Sequence, residues 1–183
     1  RFRARGDADG RMRAENLLGA VAFETGQVGE AERFFGTALE LAHGLDDSLM
    51  TARASNNLAS VAHLTGRPDL ALSLYRTALL SYQRLGDRRG MAETSHNLGI
   101  AFRQLRQWTE AERAAEQAVR HADQLADAAL RGLALVGLAG TVVYGMPILA
   151  GTLADKMGFR RALTFAYLVL TTGYFLLGSL QSS

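Results

Sequence analysis

Residues 96–119 read HNLGIAFRQLRQWTEAERAAEQAV and contain two runs of apolar residues. The first run includes Leu98, Phe102 and Leu105, and the second begins at Ala111. Apolar residues that recur every three or four positions lie on one side of an α-helix. The stretch therefore predicts two amphipathic helices joined by a short turn.

The same pattern recurs along most of the chain at a step of 40 residues. Equivalent positions are Leu18, Leu58 and Leu98; Ala31, Ala71 and Ala111; and Asp7, Asp47, Asp87 and Asp127. A fixed step of this length is typical of stacked helix pairs, each of which buries its apolar side against its neighbours. The aspartates mark the starts of three full units, at residues 7, 47 and 87, and residue 127 fits the start of a fourth.

A glycine separates the two predicted helices of the first two units, at Gly26 and Gly66. Glycine at such a position supplies the positive φ that often ends a helix. The third unit has Arg106 at the equivalent position, so the sequence defines that turn less well. Small residues at Gly99 and Ala111 predict that the helices of a pair approach each other closely.

The pattern Asn97-Leu98-Gly99, followed by Phe102, Ala111 and Ala118, resembles the signature of tetratricopeptide repeats. The resemblance extends over about residues 7–130. It implies an all-α solenoid of helical hairpins that binds another protein and is not an enzyme. In this family the first helices of successive units line a concave groove that holds a peptide or a helix.

The resemblance places ten polar residues in or beside this groove. They are Arg13, Asn16, Arg53, Asn56, Asn57, Ser60, His63, His96, Asn97 and Arg103. Asn is a poor helix former, so the recurrence of Asn57 and Asn97 suggests hydrogen bonds to the backbone or contact with a ligand. A polar, mildly basic lining suits a protein or peptide that carries carboxylates. The alternative is that these residues are solvated on the polar side of amphipathic helices.

Composition excludes several other kinds of site. Cysteine is absent, which excludes disulfides and thiolate metal sites. The four histidines lie far apart without the paired spacing of a helical zinc site, so we expect no metal and no cofactor. The net charge of only +2, with acidic residues interspersed among the arginines, argues against nucleic acid as a partner.

Two uncharged stretches, residues 133–153 and 162–180, are each long enough to span a bilayer as a helix. The segment between them resembles the loop after the second transmembrane helix of major facilitator transporters. Its motif positions are Gly151, Asp155, Gly158, Arg160 and Arg161. The resemblance implies a transmembrane hairpin, although two helices do not enclose a transport site. The chain is thus expected to be a membrane-associated interaction scaffold, and the alternative is a truncated or fused transporter fragment.

This interpretation divides the chain into a repeat domain, residues 1–130, and a transmembrane segment, residues 131–183. No signal peptide is visible, which favours a cytoplasmic repeat domain. The basic loop favours the opposite topology under the positive-inside rule, so the two parts do not predict one orientation. The junction lies between residues 128 and 140, because the stretch from Leu130 also fits a continuation of the solenoid that caps the third unit.

Overall fold

The computed structural model describes residues 2–125 and 127–141, with side chains from residue 7 onward. These residues form seven helices and no strand. The helices are α1 (Phe2–Glu24), α2 (Val28–Gly44), α3 (Ser48–Leu64), α4 (Pro68–Leu85), α5 (Arg88–Gln104), α6 (Trp108–Leu125) and α7 (residues 128–141). The predicted all-α class is confirmed.

The helices pack in consecutive pairs: α1 with α2, α3 with α4, and α5 with α6. Each second helix also packs against the first helix of the next pair, so α2 contacts α3 and α4 contacts α5. The first helices contact one another as well, α1 with α3 and α3 with α5. This nearest-neighbour arrangement is that of a helical solenoid, as the 40-residue step predicts. We call the surface shared by α1, α3 and α5 the first-helix face.

Aspartates begin three of the first helices. The Oδ1 atoms of Asp47 and Asp87 accept hydrogen bonds from the backbone N–H groups of Met50 and Gly90, at 2.9 and 3.0 Å. Asp127 does the same for Leu130 at 3.0 Å, at the start of α7. Such N-caps satisfy N–H groups that have no partner within the helix. The helix α1 begins at Phe2, so the equivalent Asp7 lies inside that helix.

The turn of the third pair has the same geometry as the other two despite its arginine. Gly26 and Gly66 have φ angles of 76° and 73°, and Arg106 has a φ of 57°. In all three turns the next backbone N–H donates to a carbonyl five residues earlier, for example Gln107 to Phe102 at 2.9 Å. The left-handed conformation is therefore imposed by the fold even where the residue is not glycine.

Small residues let the helices of each pair approach closely. Ala31, Ala71 and Ala111 are completely buried. A Cβ atom at Gly99 would lie 3.4 Å from the carbonyl oxygen of Ala111, and one at Gly19 would lie only 2.6 Å from the ring of Phe35. Larger residues at these positions would push the helices apart.

Helix α7 packs against the third pair. Leu130 lies in an apolar cluster with Ala92 of α5 and Ala122 of α6. Arg103 of α5 donates a hydrogen bond to the backbone carbonyl of Gly137 at 2.7 Å. The described residues of α7 accordingly belong to the same compact unit as the three pairs. The described part of the stretch after Leu130 therefore continues the solenoid, which was one of the two arrangements that its sequence allows.

Among the described residues, no helix is both long and apolar enough to cross a membrane. The first stretch predicted to span a membrane, residues 133–153, is described only as far as residue 141. The second, residues 162–180, lies outside the described residues. The transporter-like motif at Gly151, Asp155, Gly158, Arg160 and Arg161 also lies outside them.

Candidate functional site

Four asparagines on the first-helix face pair across successive units. The Nδ2 atom of Asn57 on α3 donates to Oδ1 of Asn16 on α1 at 3.2 Å. Asn97 on α5 makes the equivalent bond, 3.5 Å long, to Asn56 on α3. We call these two pairs the asparagine rungs. The sequence suggested backbone hydrogen bonds or ligand contact for Asn57 and Asn97. The structure pairs each with an asparagine of the preceding unit, and ligand contact stays a prediction.

Each rung leaves hydrogen-bonding groups available. Within the described residues, the Nδ2 atoms of Asn16 and Asn56 and the Oδ1 atoms of Asn57 and Asn97 make no hydrogen bond. Asn56 Oδ1 also accepts a bond from the hydroxyl of Thr94 at 3.1 Å, which fixes the orientation of that amide. A rung therefore presents a free amide NH2 group and a free amide oxygen, and so offers both donors and an acceptor to a peptide main chain.

The three predicted groove arginines differ in their partners. Arg13 pairs with Asp9 one turn earlier on α1, at 3.1 Å, and both side chains are exposed. Arg103 donates to the carbonyl of Gly137 and so links α5 to α7. Arg53 is exposed and makes no ion pair or hydrogen bond through its side chain with any described residue. The basic character expected from the sequence is thus concentrated at Arg53.

Ser60 and the two predicted groove histidines are partly buried. The Ser60 hydroxyl lies 3.0 Å from that of Tyr75 on α4. Burial lowers the pKa of His63, whose Nδ1 atom is buried without a hydrogen-bond partner among the described residues. Burial also lowers the pKa of His96, and the nearby Arg103 guanidinium lowers it further. Both rings are therefore favoured in the neutral form at physiological pH.

A polar pocket of about 250 Å³ lies where α1 and α3 meet the end of α4 and the start of α5. We call it the junction pocket. It is lined by Asn16, Arg53, Asn56, Asn57, Tyr82, Asp87, Arg89, Gly90 and Glu93. It therefore joins three of the four rung asparagines to Arg53, and it includes four of the ten groove residues predicted from the sequence.

The remaining lining residues of the pocket were not predicted. They are Tyr82, Asp87, Arg89, Gly90 and Glu93. Arg89 bonds to Glu93 at 3.1 Å and to Asp127 at 3.0 Å. A sequence signal for this site does exist, because tyrosine stands at residue 82 where the 40-residue step has alanine at residues 42 and 122. The sequence alone does not show which residue packs against Tyr82.

The asparagine rungs end at α5. One further 40-residue step from Asn56 and Asn97 leads to His96 and Gly137. A Cβ atom at Gly137 would lie 2.9 Å from His96 Nδ1, so an asparagine does not fit at residue 137 with the histidine in place. The peptide-like donors and acceptors of the first-helix face therefore span α1, α3 and α5 only, within the described residues.

The comparisons with known proteins agree with this fold. The sequence model for the tetratricopeptide repeat matches residues 10–79 and 50–124, which together cover more than half of the chain. No curated protein matches the sequence. Among solved structures, BtubC (BKLC) from P. vanneervenii matches with a TM-score of 0.69 and 20% sequence identity, over 91% of this chain and 66% of that one. The chain thus spans just under two thirds of that protein, and the likeness concerns the fold alone. None of these matches supports the transporter resemblance of residues 133–180.

Proposed function

This chain belongs to the tetratricopeptide repeat family, and from that premise we propose that its solenoid binds an extended segment of a partner protein on the first-helix face. The two asparagine rungs carry the proposal, because each offers a donor and an acceptor to a peptide main chain. Side chains that bond to the main chain hold an extended peptide whatever its sequence, and neighbouring pockets then select its side chains.

The rungs are preorganised for this role. Each asparagine pair is held by its own hydrogen bond, and Thr94 further fixes the second pair. Preorganised groups lose little conformational entropy when a ligand binds. The solvated interpretation of the same residues does not explain why asparagines of successive units face and orient one another.

We further propose that the partner segment is acidic. Arg53 lies beside the rungs with an unpaired guanidinium, and charge-assisted hydrogen bonds to carboxylates are stronger than neutral ones. Membrane attachment is a proposal from the two uncharged stretches, residues 133–153 and 162–180, and partitioning of the full chain into lipid vesicles would test it.

The test is to select binders from a phage-displayed library of short random peptides with the full chain, and to measure their affinity for variants. Asn97→Ala removes one rung; Asn97 does not itself line the junction pocket, although its partner Asn56 does. We expect it to weaken the selected peptides by about 3- to 10-fold, the loss of roughly one neutral hydrogen bond.

The matched control is Gln117→Ala, which removes an exposed amide from α6, away from the first-helix face. Peptides that bind the Asn97→Ala and Gln117→Ala variants as tightly as the wild-type chain would show that the rungs do not hold the peptide. A library that yields no specific binder would contradict the proposed function itself.

A further inference from the structure

One side of α1 is apolar and yet exposed. It carries Gly10, Ala14, Leu18 and Val21, which recur at helical spacing. The side chains of Leu18 and Val21 are 49% and 58% exposed. We call these four residues the open side of α1. Terminal units of a solenoid usually present a polar outer surface, and none of these four residues is polar.

The equivalent positions of the later first helices form contacts between units. One 40-residue step from Val21 leads to Val61, which is completely buried in a cluster with Phe35 of α2. The next step leads to Ala101, which is also completely buried, in a cluster that includes Tyr75 of α4. The equivalents of Gly10 and Ala14 in α3, α5 and α7 are buried too; they are Met50, Gly90 and Leu130, and Ala54, Thr94 and Ala134. The open side of α1 therefore has the residues of an inter-unit contact, and no described helix covers it.

The junction between α4 and α5 shows how such a surface is filled. Gly86 ends α4 with a φ of 68°, and Asp87 caps α5. In the first turn of α5, Gly90 faces Tyr82 of α4, and a Cβ atom at Gly90 would collide with the tyrosine ring. The missing side chain of Gly90 thus makes room for an aromatic residue in the last turn of the preceding second helix.

The start of the chain repeats this arrangement in its sequence. The aromatic residue, the turn glycine, the capping aspartate and the small residue all recur two 40-residue steps earlier, as Phe2, Gly6, Asp7 and Gly10. In the structure α1 continues back through residues 2–6 and has 23 residues, against 17 for α3 and for α5. The repeat register instead assigns residues 2–5 to the last turn of a preceding second helix and Gly6 to the turn after it.

We propose that the open side of α1 binds the second helix of a repeat unit that precedes it in the polypeptide, with residues 2–5 as the last turn of that helix. A Cβ atom at Gly10 meets no described atom within 4 Å, so the space that Gly90 leaves for Tyr82 is unfilled at Gly10. The chain itself carries the aromatic residue, the turn and the cap that such a helix needs. This favours a preceding unit over a second copy of the chain or a helix of another protein.

The inference extends the first-helix face on the α1 side. A preceding unit brings its own first helix beside α1, because the first helices of successive pairs contact one another. Leu17, which is 64% exposed, stands at the position of Asn57 and Asn97, and each of these asparagines bonds to the preceding first helix. The contact at Leu17 is therefore apolar and does not form a third rung.

The experiment compares the unextended chain with an extended chain, in which a copy of residues 47–80 is placed directly before Arg1. The copy supplies a first helix and most of a second helix, keeps the 40-residue step, and leaves residues 1–5 to complete the second helix. Thermal unfolding of both chains is followed by circular dichroism. We expect the extended chain to unfold at the higher temperature, because its added helix covers the open side of α1.

Gly10→Ala should have opposite effects in the two chains. In the unextended chain it replaces an exposed glycine within a helix and should raise the midpoint temperature by about 1–4 °C. In the extended chain the added Cβ collides with the aromatic residue, as it would at Gly90, and the midpoint should fall. Phe2→Ala in that chain should remove this penalty. Gly36→Ala, at an open position of α2, is the matched control and should raise both midpoints alike.

Val21→Ser tests the apolar contact itself. It should change the midpoint of the unextended chain by no more than about 2 °C, because the residue is exposed there. In the extended chain it should lower the midpoint by roughly 5–10 °C, because the valine is buried. Leu85→Ser, on an exposed leucine of α4 outside the copied segment, is the matched control and should have a small, equal effect in both chains.

Equal effects of Val21→Ser in the two chains, or a higher midpoint with Gly10→Ala in both, would overturn the proposed surface. An extended chain that is no more stable than the unextended one would overturn it as well. Sedimentation velocity of the unextended chain tests the other occupant. A concentration-dependent dimer that Val21→Ser dissociates would assign the open side of α1 to a second copy and would overturn the preceding unit.

Discussion

At the scale of single residues, side chains with the same chemistry have different roles because their neighbours differ. Arg13, Arg53 and Arg103 all lie on first helices, yet only Arg53 has no partner among the described residues. Tyr75 and Tyr82 are both buried on α4, but within the described residues only the Tyr75 hydroxyl has a hydrogen-bond partner. Residue type alone therefore does not identify the groups that are available to a ligand.

Arg106 provides a residue-scale prediction. Its left-handed conformation costs a non-glycine residue about 1–2 kcal/mol, partly offset by the greater freedom of glycine in the unfolded chain. We therefore expect Arg106→Gly to raise the free energy of unfolding by about 0.5–1 kcal/mol, as measured by urea denaturation. The reciprocal control is Gly66→Ala, at a φ of 73° with nothing within 4 Å of the added Cβ. It should destabilise the chain. An unchanged stability in both variants would show that the turns relax.

At the scale of the elements, each helix depends on signals at its ends and on small residues along its length. Asp47, Asp87 and Asp127 cap the helices that follow them. Buried alanines and glycines set how closely the helices pack. Helix α7 also begins with a capping aspartate, as α3 and α5 do. It packs against the third pair and continues the repeat series.

Removing the cap of α7 should loosen that helix. Asp127→Ala deletes the acceptor for the Leu130 N–H and the ion pair with Arg89. We expect a loss of about 1 kcal/mol and faster amide hydrogen exchange in the first turns of α7. Asp127→Asn retains a capping oxygen without the charge and should preserve most of the protection. If the alanine and asparagine variants exchange equally fast, the cap is not what holds the helix.

At the scale of the whole molecule, polar contacts join successive units of the described solenoid; the asparagine rung recurs, and the ion pairs occur once each. Arg67 forms two hydrogen bonds with Glu32 of the preceding unit, at 2.8 and 2.9 Å. The asparagine rungs and the Arg89–Asp127 pair also cross from one unit to the next. Because each unit contacts only its neighbours, its stability depends on the units beside it.

Partly buried histidines in three helices give the folded chain a pH dependence. Burial is the main cause that lowers the pKa values of His63, His96 and His121. Between the lowered folded value and the unfolded value of about 6.5, the unfolded chain binds more protons. The contribution of these histidines to the free energy of unfolding is thus fully present above about pH 6.5 and is lost progressively as the pH falls below that value.

The check is thermal unfolding from about pH 7.5 down to about pH 5.5, a range above the usual carboxylate pKa values. We expect the midpoint temperature to fall, and His96→Gln to make that fall smaller. His43→Gln, on an exposed residue of α2, serves as the control. A midpoint that stays constant over this range would mean that the histidines are hydrated in the folded state.

The amino-acid sequence by itself determined the helix pairs, their 40-residue step and the tetratricopeptide family, because helical periodicity, capping and glycine turns are local properties. It also pointed to Arg53 and the four asparagines. Only the tertiary structure decided that the asparagines form rungs, that Arg103 binds Gly137 and that Tyr82 faces Gly90. The rung and Arg103 partners lie 34 to 41 residues apart in the chain. They meet only when neighbouring units stack, so their pairing follows from the geometry of the stack, which periodicity alone does not specify.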